Sequence, residues 1–189
     1  MNFLEILQPA GESRGGRIEG VVVGIVTNNQ DPEGLGRVRV KFPWLNETDE
    51  GPWARIATPM AGDKRGMFFL PEVGDEVLVS FEQGDPRFPY VIGALWNGKD
   101  KPPEANADGH NDVRLIRSRS GHVIRFTDKA GGELLEIIDS SGNNKISIDS
   151  KANKIVIASS GGTISLQAGR IEISADATVD VKGAVVNLN

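Results

Sequence analysis

The last quarter of the chain, Asn144 to Asn189, is a ladder of near-identical short units. They read N-K-I-S-I-D, N-K-I-V-I-A, G-T-I-S-L-Q, G-R-I-E-I-S, A-T-V-D-V-K and A-V-V-N-L-N. The leading apolar residues, Ile146, Ile155, Ile164, Ile171, Val179 and Val186, are spaced 9, 9, 7, 8 and 7 residues apart. A repeat that short holds one strand and one turn and no helical hairpin, which is the signature of a winding β-structure. Side chains alternate across a strand, so each unit offers about two residues to one face. The pairs are Ile146/Ile148, Ile155/Ile157, Ile164/Leu166, Ile171/Ile173 and Val179/Val181. Walls this narrow are too tight for one chain to wind around its own core. The pattern therefore predicts an intertwined homotrimer with those ten residues as its core. A plain antiparallel meander with one wet face is the alternative, because outward positions such as Val156 and Val185 are not polar.

Composition separates the ladder from what precedes it. No proline follows Pro103, no aromatic follows Phe126, and all three tryptophans (Trp44, Trp53, Trp96) come earlier. A length of 189 residues allows one large or two small domains. The formal charge of −5, without a basic run of five, argues against a nucleic-acid or anionic-membrane surface. The absence of cysteine excludes disulfides and thiolate chemistry. Phe3, Leu4, Ile6 and Leu7 lack a basic flank and surround Glu5, so the start does not read as a signal peptide. They form either a docking turn or added strand, or a floppy terminus.

Residues 17–97 read as five or six short strands with no helical period between them. R-I-E-G-V-V-V-G-I-V-T-N is β-branched, with Gly20 and Gly24 as expected bulges or bends. R-V-R-V-K-F alternates strictly, Arg37, Arg39 and Lys41 against Val38, Val40 and Phe42, and Trp44-Leu45 is expected to cap the barrel end. W-A-R-I-A-T sets Trp53, Arg55 and Ala57 against Ala54, Ile56 and Thr58. The Gly-rich loop A-G-D-K-R-G runs into M-F-F-L, and E-V-L-V-S-F places Val77, Val79 and Phe81 together. A small barrel of the OB type fits this count and length. Residues 98–112 are a linker stiffened by Pro102-Pro103, and residues 113–189 are the expected trimeric β-structure, opening with three longer strands. Residues 1–16 stand apart as an N-terminal docking segment.

Four stretches carry a family resemblance: D-P-E-G-L-G-R-V-R-V-K-F-P-W (31–44), P-W-A-R-I-A-T-P-M-A-G (52–62), R-G-M-F-F-L-P-E-V-G-D-E-V-L-V-S-F (65–81) and G-D-P-R-F-P-Y-V-I-G-A-L-W-N-G (84–98). Together with S-G-H-V-I-R-F-T-D (120–128), they resemble the phage baseplate assembly protein V family. That family includes the β-domains of type VI secretion VgrG spikes and the spikes of extracellular contractile injection systems. The resemblance covers roughly residues 17–189. It implies an all-β chain, an OB-fold barrel followed by a trimeric β-helix or β-prism, acting as the central structural spike of a phage-tail-like baseplate. It implies a hub protein at the OB-fold end, a PAAR-like tip protein at the other end, and transient contact with a target membrane. It further implies assembly in the bacterial cytoplasm, as part of a phage-tail-like particle. No hub-like domain precedes Ile18, so the hub is expected as a separate protein, unless the chain is a fragment of a fusion. No H-x-H motif ends the ladder, so the tip protein is expected on Val185, Val186, Leu188 and Asn189. Phe3, Leu4, Ile6 and Leu7 are expected to help dock the hub.

Catalytic and metal chemistry find little support. His110 and His122 lie in a linker and a tight turn without a Cys or second His nearby. The carboxylates of Asp31-Pro-Glu33 and Glu72-Val-Gly-Asp75-Glu76 have turn roles. The Gly-rich loops lead into no helix that could hold a phosphate. No cofactor, no metal and no enzymatic activity are expected. The basic stripe Arg37, Arg39, Lys41 is expected to be salt-bridged or paired between subunits, with Phe42 turned away from it; nucleic-acid binding wants aromatics beside such a groove. A trimeric tailspike acting on carbohydrate and an OB-fold nucleic-acid binder are the alternative functions.

Overall fold

A computed structural model describes residues 16–45 and 50–187. The chain divides into two compact units, the first ending at Pro102 and the second starting at Pro103. In the first, β1 (Val21–Asn28), β2 (Val38–Lys41), β3 (Glu50–Ile56), β6 (Glu76–Phe81) and β7 (Pro89–Leu95) form a closed barrel in the order β1-β2-β3-β7-β6. The pairings are antiparallel except β3 with β7, which is parallel through Arg55↔Tyr90 and Ile56↔Val91. This five-stranded barrel fits an OB fold. A small hairpin, β4 (Ala61–Gly62) with β5 (Arg65–Gly66), stands off the barrel between β3 and β6.

Alternation decides what the barrel buries. Val38, Val40 and Phe42 point inward with Val77, Val79 and Phe81, joined by Val26, Ala54 and Val91. These are the faces the sequence predicts for β2 and β6. The Phe42 and Phe81 rings meet with centroids 5.7 Å apart. Leu45 packs against this core, and the Trp44 ring, half-exposed, stands edge-on to Phe42 with centroids 6.4 Å apart.

Gly24 departs from the sequence reading. It sits in unbroken register opposite Val77, and the irregularity in β1 falls later, between Val26 and Asn28. Its reason is close approach: a Cβ there would lie 2.3 Å from Val40 Cγ1 and 3.1 Å from the Lys41 carbonyl oxygen. Gly51 of β3 is pressed against the same strand, its Cβ position 2.9 Å from the Val40 carbonyl oxygen. Gly20, with φ of +83°, does make the expected bend ahead of β1.

In the second unit, β8 (Val113–Arg117), β9 (Val123–Thr127), β10 (Leu134–Ile138), β11 (Asn144–Asp149) and β12 (Lys154–Ser159) form one antiparallel sheet in sequential order. The expected turns S-R-S-G and K-A-G-G lie between β8, β9 and β10. Up to Ser159 the single chain therefore adopts the meander that alternation also allowed. From Ser160 to Asn187 it forms no strand, although the alternation continues.

Since Gly24 has no room for a methyl group beside Val40, Gly24→Ala should destabilise the barrel by about 1–3 kcal/mol, as overpacking does. Urea denaturation of the substituted chain should show a lower midpoint with an unchanged slope.

Candidate functional site

The turns of the second unit fix its register. The Asp139 carboxylate accepts hydrogen bonds from the Asn144 N–H (3.1 Å), the Asn144 side-chain amide (3.1 Å) and the Ser141 hydroxyl (2.7 Å). The Ser141 hydroxyl, followed by the Asn144 N–H, lowers the Asp139 pKa to about 2. At the next turn, Asp149 Oδ1 accepts from the Ala152 N–H at 2.7 Å. Held this way, the strands align two transverse rows on one face. One row runs Ile116, Ile124, Ile137, Ile146, Ile157; the other runs Phe126, Leu135, Ile148, Ile155 and ends at Arg114, which pairs with Asp128.

That face is bare. The isoleucines and Phe126 on it are 40% to 70% exposed, Ile155 the most. The opposite face is mixed: Leu115, Val123, Leu134, Ile138 and Val156 share it with Arg125, Glu136 and Ser147, and these are half-buried, Ser147 fully so at 7% exposure. The face that carries the two aliphatic rows is thus the more exposed of the two, which a self-sufficient sheet avoids. The predicted core residues beyond the sheet share this condition. Ile164, Leu166, Ile171, Ile173, Val179 and Val181 are all at least half exposed. Of the predicted tip seat, Val185 and Val186 are exposed, while Leu188 and Asn189 lie outside the described residues. The predicted hub-docking residues Phe3, Leu4, Ile6 and Leu7 also lie outside them.

A second surface lies on the barrel unit. Asp31 organises the loop before β2: its carboxylate accepts from the Glu33, Leu35 and Arg37 N–H groups and from Arg37 Nε (2.9 Å) and Nη2 (2.8 Å). The Arg37 guanidinium, ahead of the backbone donors, holds the Asp31 carboxyl well below the usual carboxylate range, and Asp31 in turn raises the Arg37 pKa. Gly34 and Gly36, with φ of +68° and +70°, let the loop double back and hold Leu35 out in solvent. Leu35, Met60, Phe68, Phe69 and Phe88 then line one groove of about 1340 Å³.

The basic stripe is salt-bridged as expected, Arg37 to Asp31 and Glu33, Arg39 to Glu50. Phe42 is indeed turned into the core. An aromatic nevertheless stands beside the stripe: the Arg39↔Trp53 register brings the Trp53 ring within 5.1 Å of the Arg39 guanidinium and 5.8 Å of that of Arg37. The sequence reading missed this, and it missed the groove. Its one signal was M-F-F-L, four apolar residues without alternation. The histidines stay apart in role. His110 sits 3.4 Å from Asp108 in the linker, and His122 Nδ1 accepts the Ser140 N–H at 3.1 Å. Among the described residues no cluster of three or more His, Asp or Glu is placed to hold a metal ion.

Residues 22–96 match the family described as the type VI secretion system/phage-baseplate injector OB domain. The chain is also similar to the type VI secretion system spike protein VgrG3 of Vibrio cholerae serotype O1, 31% identical over 130 residues, or 62% of this chain and 13% of the relative. It is 33% identical over 128 residues to the spike protein VgrG1a of Pseudomonas aeruginosa, covering 62% of this chain and 20% of the relative. To VgrG1c of the same organism it is 31% identical over 140 residues, covering 68% and 19%. The chain therefore spans a fifth or less of the length of these relatives.

Asp31→Asn should lower the thermal midpoint at pH 7, since it removes the charge that five donors converge on. The sign follows from the depressed pKa. The contribution is fully present above the ordinary carboxylate range and is lost as pH falls through the folded-state value. Melting curves of both chains should differ clearly at pH 7, and the gap should narrow progressively below about pH 4.

Proposed function

We propose that this chain, whose residues 22–96 form an OB domain of the type VI secretion and phage-baseplate injector family, is the structural central spike of a contractile injection machine and works as an intertwined homotrimer. The carrying observation is the bare apolar face of β8 to β12 and its continuation through Val181. A sheet with one apolar face is stable only against a second apolar layer, and identical copies supply one of the same height and pattern. Within each copy β8 to β12 pair with one another. Beyond Ser159 the strands of one copy pair with those of the others, which accounts for alternation without strands in a single chain.

In this reading residues 1–16 dock, 17–97 are the OB-fold head, 98–112 link, and 113–189 are the trimeric β-helix. The head meets a hub protein, with Phe3, Leu4, Ile6 and Leu7 taking part. In the same reading Val185, Val186, Leu188 and Asn189 seat a PAAR-like tip protein. The particle is assembled in the bacterial cytoplasm and touches a target membrane only during firing. Its work is mechanical. Backbone hydrogen bonds between copies and a dry aliphatic core give stiffness, and no turnover chemistry is involved. That the relatives are type VI secretion system spike proteins supports this role.

The native mass should be three times the 20.3 kDa chain, measured by sedimentation or native mass spectrometry; a monomer at micromolar concentration would overturn the trimer. Ile155→Asp sharpens the test. In a monomer it alters a 70% exposed residue and should cost no more than about 0.5 kcal/mol. In the trimer it puts three carboxylates against the core and should abolish assembly. Separately, deleting Ala184–Asn189 should abolish co-purification of a co-expressed tip protein while the trimer persists.

A further inference from the structure

The groove on the barrel unit is not accounted for by the trimeric spike. Phe68 is 77% exposed and Phe69 63%, a density of bare aromatic surface that marks an interaction site. Met60 and Met67, both exposed, line the same groove, and their thioether side chains adapt to the shape of what covers them. The other rings of the groove already carry a guanidinium over one face. Arg37 and Arg39 lie over Trp53, Arg55 over Tyr90 at 5.5 Å and Arg87 over Phe88 at 5.6 Å. Stacking of a single-stranded nucleic acid wants open ring faces in succession. An aliphatic occupant needs only apolar contact and fits this lining better.

Charge and backbone narrow the occupant further. Arg37 and Arg87 are neutralised by Asp31 and Asp85, but Lys64 and Arg65 have no carboxylate partner among the described residues. The acid in the lining, Glu82, accepts the Tyr90 hydroxyl at 2.7 Å. The groove thus offers two free cations beside an apolar floor. It also offers free backbone. The Met67 N–H closes the small hairpin on the Met60 carbonyl at 3.0 Å, and the Thr58 hydroxyl donates to the Met67 carbonyl at 2.7 Å. Pairing stops there. Phe68 and Phe69 belong to no strand, and among the described residues no hydrogen bond engages their N–H or carbonyl groups. Backbone left open beside an apolar groove is a template for an added strand. We infer that the groove binds an extended, acidic and aliphatic segment of another protein. The segment pairs with the backbone of Phe68 and Phe69, lays its aliphatic side chains on Leu35, Met60 and the two rings, and turns carboxylates toward Lys64 and Arg65. Binding of this kind needs one copy of the chain and does not rest on the trimer.

Fluorescein-labelled probes and anisotropy test this on the full-length chain. The probes are a capped heptapeptide of alternating leucine and aspartate, its lysine-for-aspartate counterpart, and an oligothymidylate. The aspartate peptide should bind, and the lysine peptide about fivefold or more weakly, the scale of an exposed ion pair. Lys64→Glu combined with Arg65→Glu should reverse that preference. Phe68→Ala alters a residue too exposed to matter to the fold and should weaken the aspartate peptide about fivefold or more, as loss of an aromatic anchor does. A version of that peptide with ester linkages in place of its amides keeps the side chains but has no N–H donors, and should bind at least about tenfold more weakly. No binding of the aspartate peptide below about 1 mM would overturn the inference, and is the result expected if a second copy covers the groove. Equal affinity for the two peptides, or binding untouched by Phe68→Ala, would overturn it as well. Equal affinity of the ester version would overturn the strand pairing. Oligothymidylate binding that Phe68→Ala removes would assign the groove to nucleic acid instead. The native mass of the same samples reports on the trimer separately.

Discussion

The structure turns on an apolar sheet face that nothing among the described residues of its own unit covers. Side chains of period two leave β8 to β12 with isoleucine and phenylalanine on one side, and stacked layers meet only when a second surface stands about 10 Å away. The described part of this unit contains no helix and no second sheet, and the stretch after Ser159 carries the same bare pattern. Full burial of a Leu, Ile or Phe side chain contributes roughly 1.5–3 kcal/mol. Association costs an estimated 4–15 kcal/mol. The two rows hold nine apolar side chains per copy, so that burying the exposed half of each is of the same order as that cost. The self-pairing of β8 to β12 makes each copy a preformed wall, so backbone ordering there does not wait for partners.

The barrel unit obeys the opposite logic. Its core of Val26, Val38, Val40, Phe42, Val77 and Val79 is at most 2% exposed, and it closes through its own β1–β6 pairing, so no edge is left open. Its charged groups are tied locally, Asp31 to Arg37 and Asp85 to Arg87. Such a unit needs no second copy to fold. Six of its exposed apolar side chains, Leu35, Met60, Met67, Phe68, Phe69 and Phe88, line one groove instead of running along a whole face. One chain therefore joins a self-contained barrel to a sheet unit that is incomplete alone.

The sequence was legible wherever the deciding physics is local. Alternation assigns Val38/Val40/Phe42 and Val77/Val79/Phe81 to the core and pairs Ile146 with Ile148, because a strand's period needs no knowledge of its neighbours. What failed depends on which strands meet. Gly24 reads as a bulge glycine until Val40 of β2 is found pressing against it. Trp53 reads as unrelated to the basic stripe until the β2–β3 register sets it opposite Arg39. Phe68 and Phe69 follow the Gly-rich loop in M-F-F-L, a run without alternation that assigns neither to a face, and only the closed barrel shows that they are left outside. The ladder was legible as alternation, but the sequence carries no mark at Ser159 where pairing within one chain ends.

That boundary has a physical basis in the spacing of the repeats. β11 and β12 are six residues each with four residues, 150–153, between them, and their leading isoleucines are nine residues apart. After Ile164 the spacing falls to seven or eight, so each strand is trimmed to about four residues or fewer once a turn is set aside. Hairpins that short are marginal in water, and such a strand gains too few hydrogen bonds from its own neighbour to offset the entropy of closing each turn. Paired between copies, the same short strands are held by walls already in place at β8 to β12, and each added layer orders only a few residues per chain. Assembly of the proposed trimer then starts at the self-paired sheets and zips along the stretch that follows Ser159. That stretch is consequently the last to become structured, and any partner bound to it would stabilise the part that its own strands hold least well.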